Sequence, residues 1–117
     1  MILAEKPNFL IFCGTGGSLL PFLSIGAVGG IMALANFAGK PLMELYTAFQ
    51  KNDIILAKQL QYMLVSINTA VTSKYGIPGL KYAMNKSGFK GGFPRRPLLP
   101  LDRNGCNAID ELLLSIR

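Results

Sequence analysis

The chain has 117 residues, enough for one ordinary domain. Half are hydrophobic and 15% are charged, which excludes a disordered polar chain. The net charge is +6, but Lys40, Lys51, Lys58, Lys74, Lys81, Lys86 and Lys90 are scattered singly and only Arg95 and Arg96 are paired, so the balance describes a solvated surface and no nucleic-acid site.

Met1–Asn8 reads as the tail of a preceding helix and a loop, closed by Pro7 and Asn8. With Glu5 in it and no clean cleavage site after it, it makes a poor signal peptide. Phe9 to Ala38 carries no charge, and glycines cut its apolar runs at intervals. It predicts a strand at Phe9–Cys13, a turn at Gly14–Gly17, a helix at Ser18–Ile25 and a second strand at Gly29–Leu34. Strand, helix, strand implies a parallel pair with a right-handed crossover. Glycines between a strand and a helix start can seat an anion. Here the turn lacks the P-loop lysine and the dinucleotide spacing, so the phosphate motif is weak and a plain tight turn is the default. Ser18 is the expected N-cap, and Pro21 falls in the first helical turn.

Asn36 or Gly39 opens the next helix, with Leu42, Leu45, Tyr46 and Phe49 on one face. Asp53 caps a long helix to Lys74. Its apolar stripe is Leu56, Leu60, Met63, Leu64, Ile67, Ala70 and Val71. Tyr75 and Gly76 end it, and Ile77-Pro78 lead into a helix over Gly79–Ser87. A Gly- and Pro-rich loop follows. Asp102 then caps a last helix, Asn104–Ile116, with Ile109, Leu112, Leu113 and Ile116 on one side.

There is no histidine, which removes Ser-His-Asp and Cys-His catalysis and most zinc sites. Cys13 and Cys106 do not make a disulfide framework. Cys13 lies in an apolar run, where a thiol behaves as a small hydrophobe. No residue pattern calls for a metal or a cofactor. The uncharged run from Pro7 to Gly39 is long enough to cross a bilayer, since roughly 20 apolar residues suffice. Its glycines, Pro21 and strand-length blocks favour buried parallel strands, with no membrane involved.

The order is thus βαβα and then helices only. Two parallel strands leave both edges bare, as at the end of a larger α/β repeat fold. The string from Ala70 to Leu101, AVTSKYGIPGLKYAMNKSGFKGGFPRRPLLPL, resembles the C-terminal part of the dihydrodipicolinate synthase/N-acetylneuraminate lyase family of class I aldolases. CGTGGSLLP and GAVGGIMALAN resemble its seventh and eighth barrel strands with their loops. The resemblance covers essentially the whole chain and is nearest to the 4-hydroxy-2-oxoglutarate aldolase branch.

That resemblance implies an α/β fold: the last two βα units of a (β/α)8 TIM barrel over residues 1–51, then a C-terminal helical extension over 52–117. It implies a pyruvate-type 2-oxo acid substrate held as a Schiff base, without a cofactor. The family's imine-forming lysine, proton-shuttling tyrosine and carboxylate-binding hydroxyls lie on strands that would precede this chain. Lys6, in the lead-in, is no substitute. Two positions carry over as substrate-binding. Gly14 matches the glycine ending strand seven, where backbone can approach a ligand closely. Ile31 matches the apolar residue of strand eight that lines the pyruvate pocket. Read without the resemblance, they are plain turn and core. Thr15 and Ser18 are candidates to touch a distal hydroxyl or carboxylate. The other lysines read as solvent-facing, and Tyr46, Tyr62, Tyr75 and Tyr82 sit on or beside helices.

The expectation is a part of an aldolase that is inactive alone. The alternatives are one half of a split aldolase and a non-catalytic helical interaction module using the Leu56–Val71 stripe. An intracellular location, cytoplasmic or mitochondrial, and assembly into a homo-oligomer both remain open.

Overall fold

A computed structural model describes residues 8–116. Most of the lead-in, with Lys6, lies outside the described residues. Strand β1 (Phe12–Cys13) pairs in parallel with β2 (Gly29–Gly30), with Phe12 opposite Gly29 and Cys13 opposite Gly30. Helix α1 (Leu19–Ser24) connects them, preceded by a 3-10 turn at Gly16–Ser18.

Both expected strands are shorter than their apolar runs. The ladder reaches one bond beyond each end, Val28 N to Ile11 O and Ile31 N to Cys13 O, both 2.9 Å. There β1 turns away into the glycines and leaves no backbone to pair with. Met32 stays extended, but Ala33–Asn36 closes a 3-10 turn that drives Leu34 into the core with none of its surface exposed. An apolar run alone does not distinguish a strand from such a buried turn. Ser18 makes no capping bond. Thr15 takes that role for the 3-10 turn, where its hydroxyl accepts from Gly17 N at 3.3 Å.

The helices follow their caps. Helix α2 (Gly39–Gln50) buries Leu42, Leu45 and Ala48. Helix α3 (Ile54–Thr69) starts where the Asp53 carboxylate accepts from Leu56 N at 3.1 Å, and it runs on through a π turn at Ala70–Lys74. By length and composition Ile54–Lys74 is apolar enough to cross a bilayer, yet it packs against α2, the turn at Gly16–Ser18 and the C-terminal helix. Its buried face is Ala57, Gln61, Leu64, Ile67 and Asn68, then Ala70 and Val71. The expected stripe is therefore offset at its start, and Leu56 is 41% exposed. Leu64 and Ile67, fully buried, contribute about 2 kcal/mol each by removal from water.

Helix α4 (Gly76–Lys86) begins three residues before the expected Gly79, on a Gly76 with φ of 54°. Helix α5 (Arg103–Ser115) is capped as expected, with Gly105 N donating to the Asp102 carboxylate at 2.8 Å. The loop between them is pinned to α4. Asn85 Oδ1 accepts from Gly91 N and Gly92 N, and Lys81 Nζ donates to Gly91 O at 2.7 Å. Lys81 is thus partly buried and held, contrary to its solvent-facing reading. Buried residues from Cys13 to Leu113 form one cluster, so the barrel-like portion and the later helices share a core.

A clasp joins α4 to α5. The Tyr82 hydroxyl donates to Asp110 Oδ2 at 3.0 Å, and Lys86 Nζ lies 3.2 Å from the same oxygen. Burial, with Asp110 beside it, raises the Tyr82 hydroxyl, although Lys86 opposes this. Bonds to Tyr82 and then Asp110 raise Lys86. Both groups are raised, so the clasp is fully present below the ordinary tyrosine value of about 10 and is lost as pH climbs through the raised values. Tyrosine absorbance titration should find Tyr82 raised above the ordinary tyrosine value, and Asp110→Asn should bring it down. A Tyr82 that ionises at or below the ordinary tyrosine value would contradict the clasp.

Candidate functional site

The C-terminal end of the β1–β2 pair gathers the residues of interest. Ile31 N donates the last ladder bond, to Cys13 O, so Ile31 and Gly14 both flank the end of the pairing that sets Cys13 against Gly30. A Cβ built on Gly14 meets nothing within 4 Å, so that face of the turn is open. Ile31 is 77% exposed, an aliphatic side chain with nothing covering it among the described residues. The structure thus brings the two sequence-predicted residues together at one edge.

The far side of the turn is closely packed. A Cβ on Gly16 would lie 2.7 Å from Leu34 Cδ2, and one on Gly17 would lie 2.9 Å from Asn68 Nδ2. Glycine is needed here for close approach. Thr15 faces inward, where its hydroxyl oxygen accepts from Asn68 Nδ2 at 3.1 Å as well as from Gly17 N. Ser18, also partly buried, starts α1.

Sequence reasoning missed Gln61 and Asn68. They are 7% exposed each and are the buried polar side chains among the described residues. Gln61 Nε2 donates to Gly16 O at 2.9 Å, and Gln61 Oε1 accepts from Leu20 N at 2.8 Å. Leu20 N is one of the donors that the start of a helix leaves unpaired. Asn68 Oδ1 has no partner among the described residues. The signal was available: 61, 64, 68 and 71 fall at helical spacing on one face with Leu64 and Val71.

Among the described residues, no lysine or tyrosine stands free at this edge to form an imine or shuttle its proton, and the Cys13 thiol is buried against Thr15 O. Lys40, Lys51, Lys58, Lys74, Lys86 and Lys90 are exposed, and Lys81 is tied to the Gly91 loop. Tyr82 belongs to the α4–α5 clasp. Among the described residues no three His, Cys, Asp or Glu side chains could hold a metal ion. What the arrangement offers is a backbone that a ligand can approach and an apolar wall. Beside the pair lies an apolar cavity of about 320 Å³, bounded by Leu19, Met32, Leu42, Met43 and Tyr46. Phe9, Leu10, Phe12 and Val28 are exposed along the same strands.

A sequence profile described as the dihydrodipicolinate synthetase family matches residues 1–115. The chain belongs to this family. It is 30% identical over 115 residues to a 4-hydroxy-tetrahydrodipicolinate synthase of Synechococcus, covering 98% of this chain and 38% of the relative. It is 33% identical over 109 residues to the protein of the same name from Methanococcoides burtonii, covering 90% and 38%. Among solved structures, a dihydrodipicolinate synthase from Bacillus anthracis superposes with a TM-score of 0.89 at 26% identity, over 96% of this chain and 38% of that one. An N-acetylneuraminate lyase from Proteus mirabilis shares the fold, with a TM-score of 0.82 at 24% identity over 97% of this chain and 38% of that one. The chain therefore spans about 38% of the length of the family members it matches. These relatives are TIM-barrel enzymes, and a small parallel sheet with helices around it is consistent with part of such a barrel.

Proposed function

We propose that this chain is the C-terminal part of a Schiff-base-forming aldolase that acts on pyruvate-type 2-oxo acids. Its β1 and β2 are the last two strands of a (β/α)8 barrel, residues 1–51 complete that barrel, and residues 52–117 form the helical extension. Gly14 brings backbone to the bound 2-oxo acid, and Ile31 covers its carbons and keeps water from the imine. The imine needs an amine of lowered pKa in a dry pocket and a positioned proton donor. Both come from the first six βα units, outside these 117 residues, so the chain alone is inactive. The reaction is of the 4-hydroxy-2-oxoglutarate aldolase or dihydrodipicolinate synthase kind. Assembly into a homo-oligomer belongs to the same proposal.

The observation that carries this reading is the position of Gly14 and Ile31, both uncovered and flanking the last ladder bond at the C-terminal end of a parallel pair whose apolar flanks are exposed. Barrel enzymes hold their substrates at that end of the strands.

The test uses a completed barrel, in which residues 8–116 follow the first six βα units of the Bacillus anthracis relative. Gly14→Val and Ile31→Asp should each lower kcat/KM for the 2-oxo acid by about a hundredfold, the scale of a displaced substrate. Neither should unfold the chain, because one position faces open space and the other is exposed. Values within threefold of the parent would sink the assignment of both residues.

A further inference from the structure

The turn that carries Gly14 has three glycines among its four residues, and the helix it feeds is only six residues long. Neither can hold itself in one conformation, because glycine is the residue with most backbone freedom to lose. The turn is instead held from outside, by a helix more than 40 residues further along the chain. Gln61 ties Gly16 O and Leu20 N, and Asn68 ties Thr15, whose oxygen also holds Gly17 N. Gln61 and Asn68 lie seven residues apart on one buried face of α3.

We propose that Asn68 and Gln61 are positioning residues for the substrate edge. They fix the backbone of Gly14–Gly17 through Thr15 and Gly16, and so set how closely Gly14 approaches a bound 2-oxo acid. The proposal rests on the functional reading above. Asn68 touches no substrate; its effect passes through the Thr15 hydroxyl. A role in placement changes substrate affinity more than turnover, whereas a role in packing changes stability alone.

The completed barrel supplies the test, with KM and kcat for pyruvate measured at a fixed saturating concentration of an aldehyde acceptor, beside the melting temperature. Condensation of pyruvate with that aldehyde by the unsubstituted barrel reports on the functional reading separately, before any α3 variant is compared. Asn68→Leu and Gln61→Leu should each raise KM about tenfold and leave kcat within twofold. Thr15→Val should match Asn68→Leu, and Thr15→Ser, which keeps the hydroxyl, should restore the parent KM. The double variant Thr15→Val/Asn68→Leu should be no worse than either single one, because the two share one bond. The idea is overturned if KM in these variants stays within twofold of the parent while the melting temperature falls. It is equally overturned if Thr15→Ser behaves like Thr15→Val. The two Thr15 variants keep the test decisive should an α3 variant fail to fold.

Discussion

Gly16→Val should cost about 3 kcal/mol or more of stability, at the top of the range for overpacking a core. The reason is local and steric. The first added carbon would lie 2.7 Å from Leu34 Cδ2, 3.2 Å from Leu34 Cβ and 3.3 Å from Asn68 Oδ1. Leu34 has no exposed surface, so it has no free direction in which to yield. Asn68 is bound to Thr15 and cannot move without releasing that bond. Valine then adds two methyl groups to a position that lacks room for one. Since ordinary domains are stable by only 5–15 kcal/mol, this is a large fraction of the total. Gly39→Ala is the control. Its Cβ meets nothing within 4 Å, and it opens α2, so it should be neutral or gain about 0.5–1 kcal/mol. Urea midpoints of the completed barrel compare the two. A Gly16→Val midpoint equal to the parent would mean that the turn does not pack on Leu34 as described.

The helical half of the fold was legible in the sequence because its signals are local. Asp53 and Asp102 cap the helices that follow them, and Leu42, Leu45, Ile109 and Leu113 fall on buried faces at helical spacing. The strands were less legible. Their length depends on how long two distant segments run side by side, and Gly14 ends that by turning away. The face of α3 was misplaced at Leu56 because only apolar residues were counted. The true face includes Gln61 and Asn68, whose partners are backbone atoms of a turn far away in sequence. No periodicity shows that. Gly14 and Ile31 emerged from the family resemblance. From residue type alone they read as turn and core, yet Ile31 is exposed rather than buried.

The second large effect is all-or-none. An imine with pyruvate requires a lysine that is neutral near physiological pH and shielded from water. The lysines among the described residues are exposed, apart from Lys81, whose ammonium donates to Gly91 O. The edge at Gly14 and Ile31 provides shape and an apolar wall, and neither accepts or gives up a proton. Supplying the first six βα units should therefore take the system from no covalent chemistry to imine formation, without any change in these residues.

Borohydride trapping with labelled pyruvate, read by mass spectrometry of the digested protein, is the direct measurement of that claim. On the 117-residue chain the account predicts no stable label. On the completed barrel it predicts one label, on a lysine outside residues 1–117. A stable label on Lys81, or on any other lysine of this chain, would contradict it.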